Sequence, residues 1–277
     1  MLGTLYHARP RLSTVVSGGA KAYILVLAET ARAYGCEHIV TPHIEYCLYR
    51  QREHVSCSCA SNSVKMLEIA VSIESDWIFK EAAINLIGQG HWVYTAAQLM
   101  LEELGVQGLF VRKRAEFIQN LRNCELEMLT CIPIDVQGTD QFARGLFREW
   151  LSQRLTRGEG SRLELVPGEG FGTETKYAKV YRDISRGDLY NLNHDKLIHT
   201  LLGPMRRAEP DVKAVFKWAS GVIKPIMKDF SCIQHNKGLL MGIRPLTFIN
   251  IGNEELPWIE NPRDLTTQEL RDCELYS

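Results

Sequence analysis

From Lys21 to Tyr34 the chain reads as a helix, because nearly every residue through Ala31 is a helix former and Gly35 stands where a left-handed C-terminal cap belongs. Its apolar residues Tyr23, Ile24, Leu25, Val26 and Leu27 run round the whole cylinder, the pattern of a helix covered on more than one side. Thr41-Pro42 predicts an N-cap followed by proline at the first helical position, and Ile44, Cys47 and Leu48 then recur at three- and four-residue spacing, which gives a second, amphipathic helix. Ser63 is placed to cap a third helix with Leu67, Ala70 and Val71 facing inward. Ser75 is placed to cap a fourth, with Ile78, Phe79, Ala82, Ala83, Leu86 and Ile87 inward and Gly88 at its end, and the two read as a helix hairpin. Ala96 to Leu104, stopped by Gly105, continues the series. So do a long helix from about Leu109 to Leu129 and another over Gln141 to Leu155 carrying Phe142, Leu146 and Trp150.

Beyond that point glycine concentrates in Arg157–Ser161 and Pro167–Gly172, a composition that predicts a flexible linker. Tyr177 to Ile184 and Asp211 to Met227 return to helical period. Leu239 to Ile243 and Leu246 to Ile251, broken around Pro245, read as two short strands of a small C-terminal β-hairpin. The residues from Asn261 onward are polar and read as a loose tail. The fold class expected is therefore mainly α.

Several functional classes are disfavoured by composition. The net charge is −1 and charges of both signs are interspersed, so no segment makes the basic stripe that nucleic acid demands. The longest apolar run, Ala22 to Ala28, is far shorter than the roughly 20 residues that span a bilayer. The N-terminus lacks the basic, apolar and small-residue succession of a secretory signal, which makes an intracellular location, cytoplasmic or nuclear, the expectation. Eight cysteines spread along such a chain are expected as reduced thiols.

Two stretches carry a likeness to known proteins. Ala31-Arg-Ala-Tyr-Gly-Cys-Glu-His-Ile-Val40 and Ser75-Asp-Trp-Ile-Phe-Lys-Glu-Ala-Ala-Ile-Asn-Leu-Ile-Gly-Gln89 resemble the region that follows the BTB/POZ fold in fungal BTB-domain proteins of unknown function. Leu239-Leu-Met-Gly-Ile243, Ile249-Asn-Ile-Gly252 and Glu254-Glu-Leu-Pro-Trp258 are similar to the end of that family. The resemblance implies a closing segment of a BTB-like fold over residues 1–35, a helical BACK-like region over 36–156, a linker over 157–175, a C-terminal helical region with short strands over 176–260, and a tail over 261–277. Leu2-Gly-Thr-Leu-Tyr-His7 looks like the last part of a BTB fold whose earlier strands would lie upstream of Met1. The function it implies is that of a non-catalytic interaction scaffold or adaptor. Its partners are proteins, and self-association through residues 1–35 is among the expectations; cullin-binding surfaces are not carried over.

The sharpest rival is a small zinc module. Cys36, His38, His43, Cys47, His54, Cys57 and Cys59 fall within 24 residues, and soft thiolates with imidazoles are what zinc selects. The spacings Cys36-x-His38 and Cys57-x-Cys59 are tighter than a zinc knuckle, and Cys47 falls on the apolar face of its helix, so core cysteines are the reading preferred. Gly168, Gly170 and Gly172 lack the spacing of a phosphate loop, and no hydrolase elbow or H-E-x-x-H helix occurs. Cys232 near His235 has nothing beside it to activate a thiolate, and Arg186-Gly-Asp188 reads as a chance tripeptide. Arg112-Lys-Arg114 is read as a solvated charged face, and Glu254-Glu255 as a solvated loop. Trp92 and Tyr94, in Gly90-His-Trp-Val-Tyr94, are aromatic candidates for partner contact, although burial at a helix crossing is the stronger reading. The expected catalytic, cofactor and metal sites are none.

Overall fold

The computed structural model describes residues 18–89, 91–130, 141–156, 176–186, 209–231 and 245–259. Ten α-helices account for most of them: α1 (Gly18–Ala33), α2 (Glu37–Arg50), α3 (Arg52–Ser61), α4 (Ser63–Ser72), α5 (Asp76–Gly88), α6 (His91–Glu103), α7 (Gln107–Thr130), α8 (Gln141–Thr156), α9 (Lys176–Arg186) and α10 (Glu209–Val222). Short 3-10 turns follow at Lys224–Met227 and Asn253–Glu255. The mainly helical class is as expected. The linker over 157–175, the strand Leu239–Ile243, Cys232, His235, the glycines at 168–172, Gly187-Asp188 and the tail fall outside the described residues.

Three helix ends share one device. Gly35 and Gly105 adopt left-handed φ of 62° and 69°, and in each case the following amide reaches back to the carbonyl five residues earlier, Cys36 to Ala31 and Val106 to Leu101. Glu74 makes the same turn after α4 at φ 52°, with Ser75 N–H donating to the Ala70 carbonyl. A non-glycine residue there costs on the order of 1 kcal/mol.

Other local expectations are corrected. Thr41 and Pro42 do not open α2; the helix begins at Glu37 and carries Pro42 inside it. The tight turn at Gly35 and Cys36 restarts the helix five residues sooner than the Thr-Pro signal marks. Ser63 is the first residue of α4 rather than its cap, and its hydroxyl donates to the Cys59 carbonyl at the end of α3. Ser75 does occupy the N-cap position of α5, yet its hydroxyl donates to Glu45 of α2 instead of capping. Helix α3 has no counterpart in the sequence reading, because its Ser- and Cys-rich text shows no apolar period.

Helix α5 organises the core. Ile78, Phe79 and all of Glu81 through Gly88 are buried, so the helix has no solvent side along most of its length. Helices α3, α4, α6 and α7 lie against it, and α1 covers α2 and α4. Helix α7 carries the array onward to α10, which packs on α8 and α9 around Phe147, Trp150 and Phe216.

The remaining side of α5 is closed by the segment Pro245–Ile259, which runs as an irregular strap. The expected strand over Leu246–Ile251 is not formed, and no strand occurs among the described residues, so the β-hairpin is withdrawn. The apolar run that suggested a strand has a different cause. Leu246, Phe248, Ile249, Ile251 and Leu256 all bury against the helices, each worth about 1.5–3 kcal/mol of transfer energy. Phe248 stacks on Phe117 of α7 with ring centroids 4.7 Å apart. Phe79 of α5 meets Trp258 edge-on at 5.5 Å.

Gly88 marks the closest approach. A Cβ there would lie 2.2 Å from the Leu246 carbonyl oxygen, so the glycine is set by the strap rather than by helix capping. Gly88→Ala is expected to cost about 2–3 kcal/mol by overpacking. Gly145→Ala, in α8 with open space at the same atom, is expected to add about 0.5–1 kcal/mol. Urea denaturation of the two variants checks the contrast; equal effects would mean that the strap does not sit on α5.

Candidate functional site

Helix α1 buries Ile24, Leu27, Ala28 and Ala31, at the three- and four-residue spacing of one helical face. Its other face is left with Tyr23 (49% exposed) and Val26 (60%), followed by Tyr34 (74%) just past its end. Helix α2 repeats the arrangement: Val40, Ile44 and Leu48 point in, while Ile39 (36%), Tyr46 (47%) and Tyr49 (56%) point out, with exposed Pro42 between them. Six of the ten large exposed hydrophobic side chains of the described residues thus belong to two adjoining helices and the turn between them. The encirclement expected for Tyr23–Leu27 is therefore half correct, since Ile24 and Leu27 are covered while Tyr23 and Val26 are open.

This face is held rigidly from behind. The Arg32 guanidinium donates to the Ser72 carbonyl at the end of α4, at 3.1 Å, and Glu45 of α2 accepts from Ser75 at 3.0 Å. Tyr49 stands edge-on to Trp77 of α5 at 6.2 Å, with the Arg52 guanidinium 5.8 Å from its ring. Trp77 was not singled out by sequence, because a lone tryptophan near a helix start gives no sign of what it will touch. The side chains of Trp92 and Tyr94, together with Gly90, lie outside the described residues.

The cluster of possible zinc ligands is dispersed along helices. Cys36 lies in the turn before α2, with its thiol 3.5 Å from the Ala31 carbonyl, and Cys59 is fully buried in α3. His38 and His54 are exposed, and His43 and Cys47 are half-buried on α2. Among the described residues no group of three or more His, Cys, Asp or Glu side chains is arranged to hold a metal ion, although all seven candidates are described. Burial pushes the Cys57 thiol above its ordinary value, and the Glu53 carboxylate pushes it further in the same direction. Burial likewise raises Cys124, with Glu127 and Glu125 adding to it.

The charged text of α7 has the largest correction. Arg112-Lys-Arg114 is not a solvated face, and Glu255 is not a solvated loop residue. Glu255 receives the Arg112 guanidinium on Oε1 at 3.2 Å, while its Oε2 accepts from both the Lys113 ammonium at 2.9 Å and the Gly252 N–H at 3.0 Å. Burial alone would raise the Glu255 carboxyl, but the Gly252 N–H, Lys113 and Arg112 outweigh it and hold the group below the usual carboxylate range. Arg114 is buried and donates to the Ile87 and Gln89 carbonyls, capping the C-terminus of α5 with a cation. Gln89 in turn donates to the Ala60 carbonyl and the Ser63 hydroxyl, fixing the α3–α4 turn.

Buried polar groups elsewhere are also tied into the fold. Glu81 accepts from Asn85 and from the Ser231 hydroxyl, and Tyr181 donates to Glu125 at 2.7 Å. These contacts join α5 to the segment after α10, and α9 to α7. No helix of the described residues is long and apolar enough to cross a membrane. Comparison with protein-family models, with curated proteins and with solved structures finds no match.

The raised thiols have a direct consequence. Iodoacetamide at neutral pH is expected to alkylate Cys57 more slowly than free cysteine, with the rate climbing only as pH passes 9, the ordinary value from which the group is raised. Peptide-resolved mass spectrometry reads this, and rapid labelling at pH 7 would mean that a thiolate is stabilised there after all.

Proposed function

We propose that this chain is a non-catalytic protein-interaction scaffold whose contact surface is the outer face of α1 and α2. The observation that carries the reading is the concentration of four tyrosines, Tyr23, Tyr34, Tyr46 and Tyr49, with Val26 and Ile39 on that one face. Aromatic side chains offer about 150–250 Å² each, so the exposed parts of the six sum to roughly 600 Å². That is at the upper end of the largest apolar patch on a typical monomer, about 300–600 Å². It also approaches the roughly 800 Å² that each partner buries in a standard interface. The likeness of Ala31–Val40 and Ser75–Gln89 to the region after a BTB/POZ fold supports an adaptor of that type, with a BACK-like helical extension.

A second copy of the chain is the first occupant to consider. Tyrosine hydroxyls donate and accept, so the tyrosines can pair with their own images, and a net charge of −1 adds little repulsion between copies. The expected result in analytical ultracentrifugation is a mass that rises with concentration. The double substitution Tyr23→Glu and Val26→Glu, both outward on α1, is expected to weaken association at least tenfold, the equivalent of about 1.4 kcal/mol, while leaving the helical circular dichroism unchanged. A wild-type chain that remains monomeric across two decades of concentration would remove self-association from the reading.

A further inference from the structure

The strap divides into two halves held by different physics. In the inner half, Pro245 to Ile249 are all buried. The Thr247 hydroxyl donates to Asp229 at 2.6 Å, the Phe230 N–H donates to the Thr247 carbonyl at 2.9 Å, and Arg182 donates to the Pro245 carbonyl at 3.1 Å. With Phe248 stacked on Phe117, this half is part of the core.

The outer half is built otherwise. From Gly252 to Ile259 only Leu256 is fully buried, while Asn253, Glu254 and Ile259 are exposed. What binds it to the helices is largely polar: Glu255 on Arg112 and Lys113, Lys80 on Asn253, and the Trp258 indole N–H on Asp76 at 3.0 Å. Its own backbone closes two short turns, one through Glu255 to Gly252 and Leu256 to Asn253 and one through Ile259 to Leu256. Lys113 also donates to the Asn250 carbonyl at 2.9 Å, immediately before the division between the halves.

We propose that Gly252–Ile259 is a flap, latched by Glu255 onto Arg112 and Lys113, which opens as a unit while Pro245–Ile251 stays seated. A small set of charge contacts, one buried leucine and the edge-on contact of Trp258 with Phe79 bury less apolar surface than the inner half does, so the two halves separate in stability. Opening uncovers the Phe79 ring beneath Trp258. Asp76, the partner of Trp258, stands on α5 next to Trp77, which touches Tyr49.

The ionisation of Glu255 gives the direction of the response. Its carboxyl sits below the ordinary value of 4.5, so the latch is fully present above that pH and is lost as pH falls through the lowered value. The other charged groups facing it are Arg112, Lys113 and Glu116 of α7, Glu254 beside it, and Lys80 and Asp76 of α5. Among these, Glu116 pairs with Lys113 at 3.5 Å.

Amide hydrogen exchange on the full chain tests the proposal. The Gly252, Leu256 and Ile259 amides, bonded to the Glu255 carboxylate, Asn253 and Leu256 respectively, report the flap; the Phe230 amide, bonded to Thr247, reports the inner half. Glu255→Gln keeps the size and removes the charge. The expected result is at least tenfold faster exchange at the three flap amides with the Phe230 rate unchanged. If that variant does not fold, the wild-type chain taken from pH 7 to below 4 gives the same reading as the ratio of flap to Phe230 rates corrected for intrinsic exchange. Acceleration of all four amides together, or of none, overturns the proposal. Neither outcome depends on whether any partner binds.

Discussion

A helix that is buried along most of its length has to be covered on every side, and α5 is such a helix. Four neighbouring helices supply most of the cover, and helical geometry satisfies their backbones internally. The last side is closed by a segment that is not helical, whose amides and carbonyls need partners brought from elsewhere. That requirement explains a set of otherwise unrelated features. Arg182 and Lys113 reach strap carbonyls, the Phe230 amide reaches Thr247, Glu255 folds back on Gly252, and Gly88 lets the strap backbone approach. Arg114 finishes the same helix by capping its last carbonyls from α7.

Much of the helical frame was legible because it is local. Gly35 and Gly105 end their helices by a backbone conformation glycine tolerates, and the apolar periods of α5, α7 and α8 follow from which faces are buried. What was illegible is non-local. Arg112 and Glu255 are separated by 143 positions, so each looks like a solvated charge until the chain brings them together. Gly88 has the text of a helix terminator, yet its role is set by Leu246. The apolar text of Leu246–Ile251 records burial of an irregular segment rather than a ladder. Helix α3 was hidden by its composition, since Ser56, Ser58 and Cys59 are buried there without forming an apolar pattern.

The same contrast organises function. Buried ionisable residues in the described part of the chain are engaged in holding elements to each other: Glu81 to Ser231, Glu125 to Tyr181, Arg114 to the end of α5. The seven sulfur and imidazole side chains between Cys36 and Cys59 are divided among buried and outward positions of α2 and α3 instead of converging. The conspicuous uncovered resource is aromatic surface on α1 and α2, braced by Arg32 and Glu45 from the layer behind. A tyrosine-rich surface braced on a packed helical frame is suited to binding another folded surface.

The most direct test of that account is hydroxyl-radical footprinting of the chain under dilute conditions and again at high concentration or in the presence of a bound protein. The account requires Tyr23, Tyr34, Tyr46 and Tyr49 to be readily oxidised when the chain is alone and to become protected together on association, with Phe110, Phe117 and Tyr181 protected throughout. Tyrosines already protected in the dilute chain, or equally oxidised in every state, would contradict it.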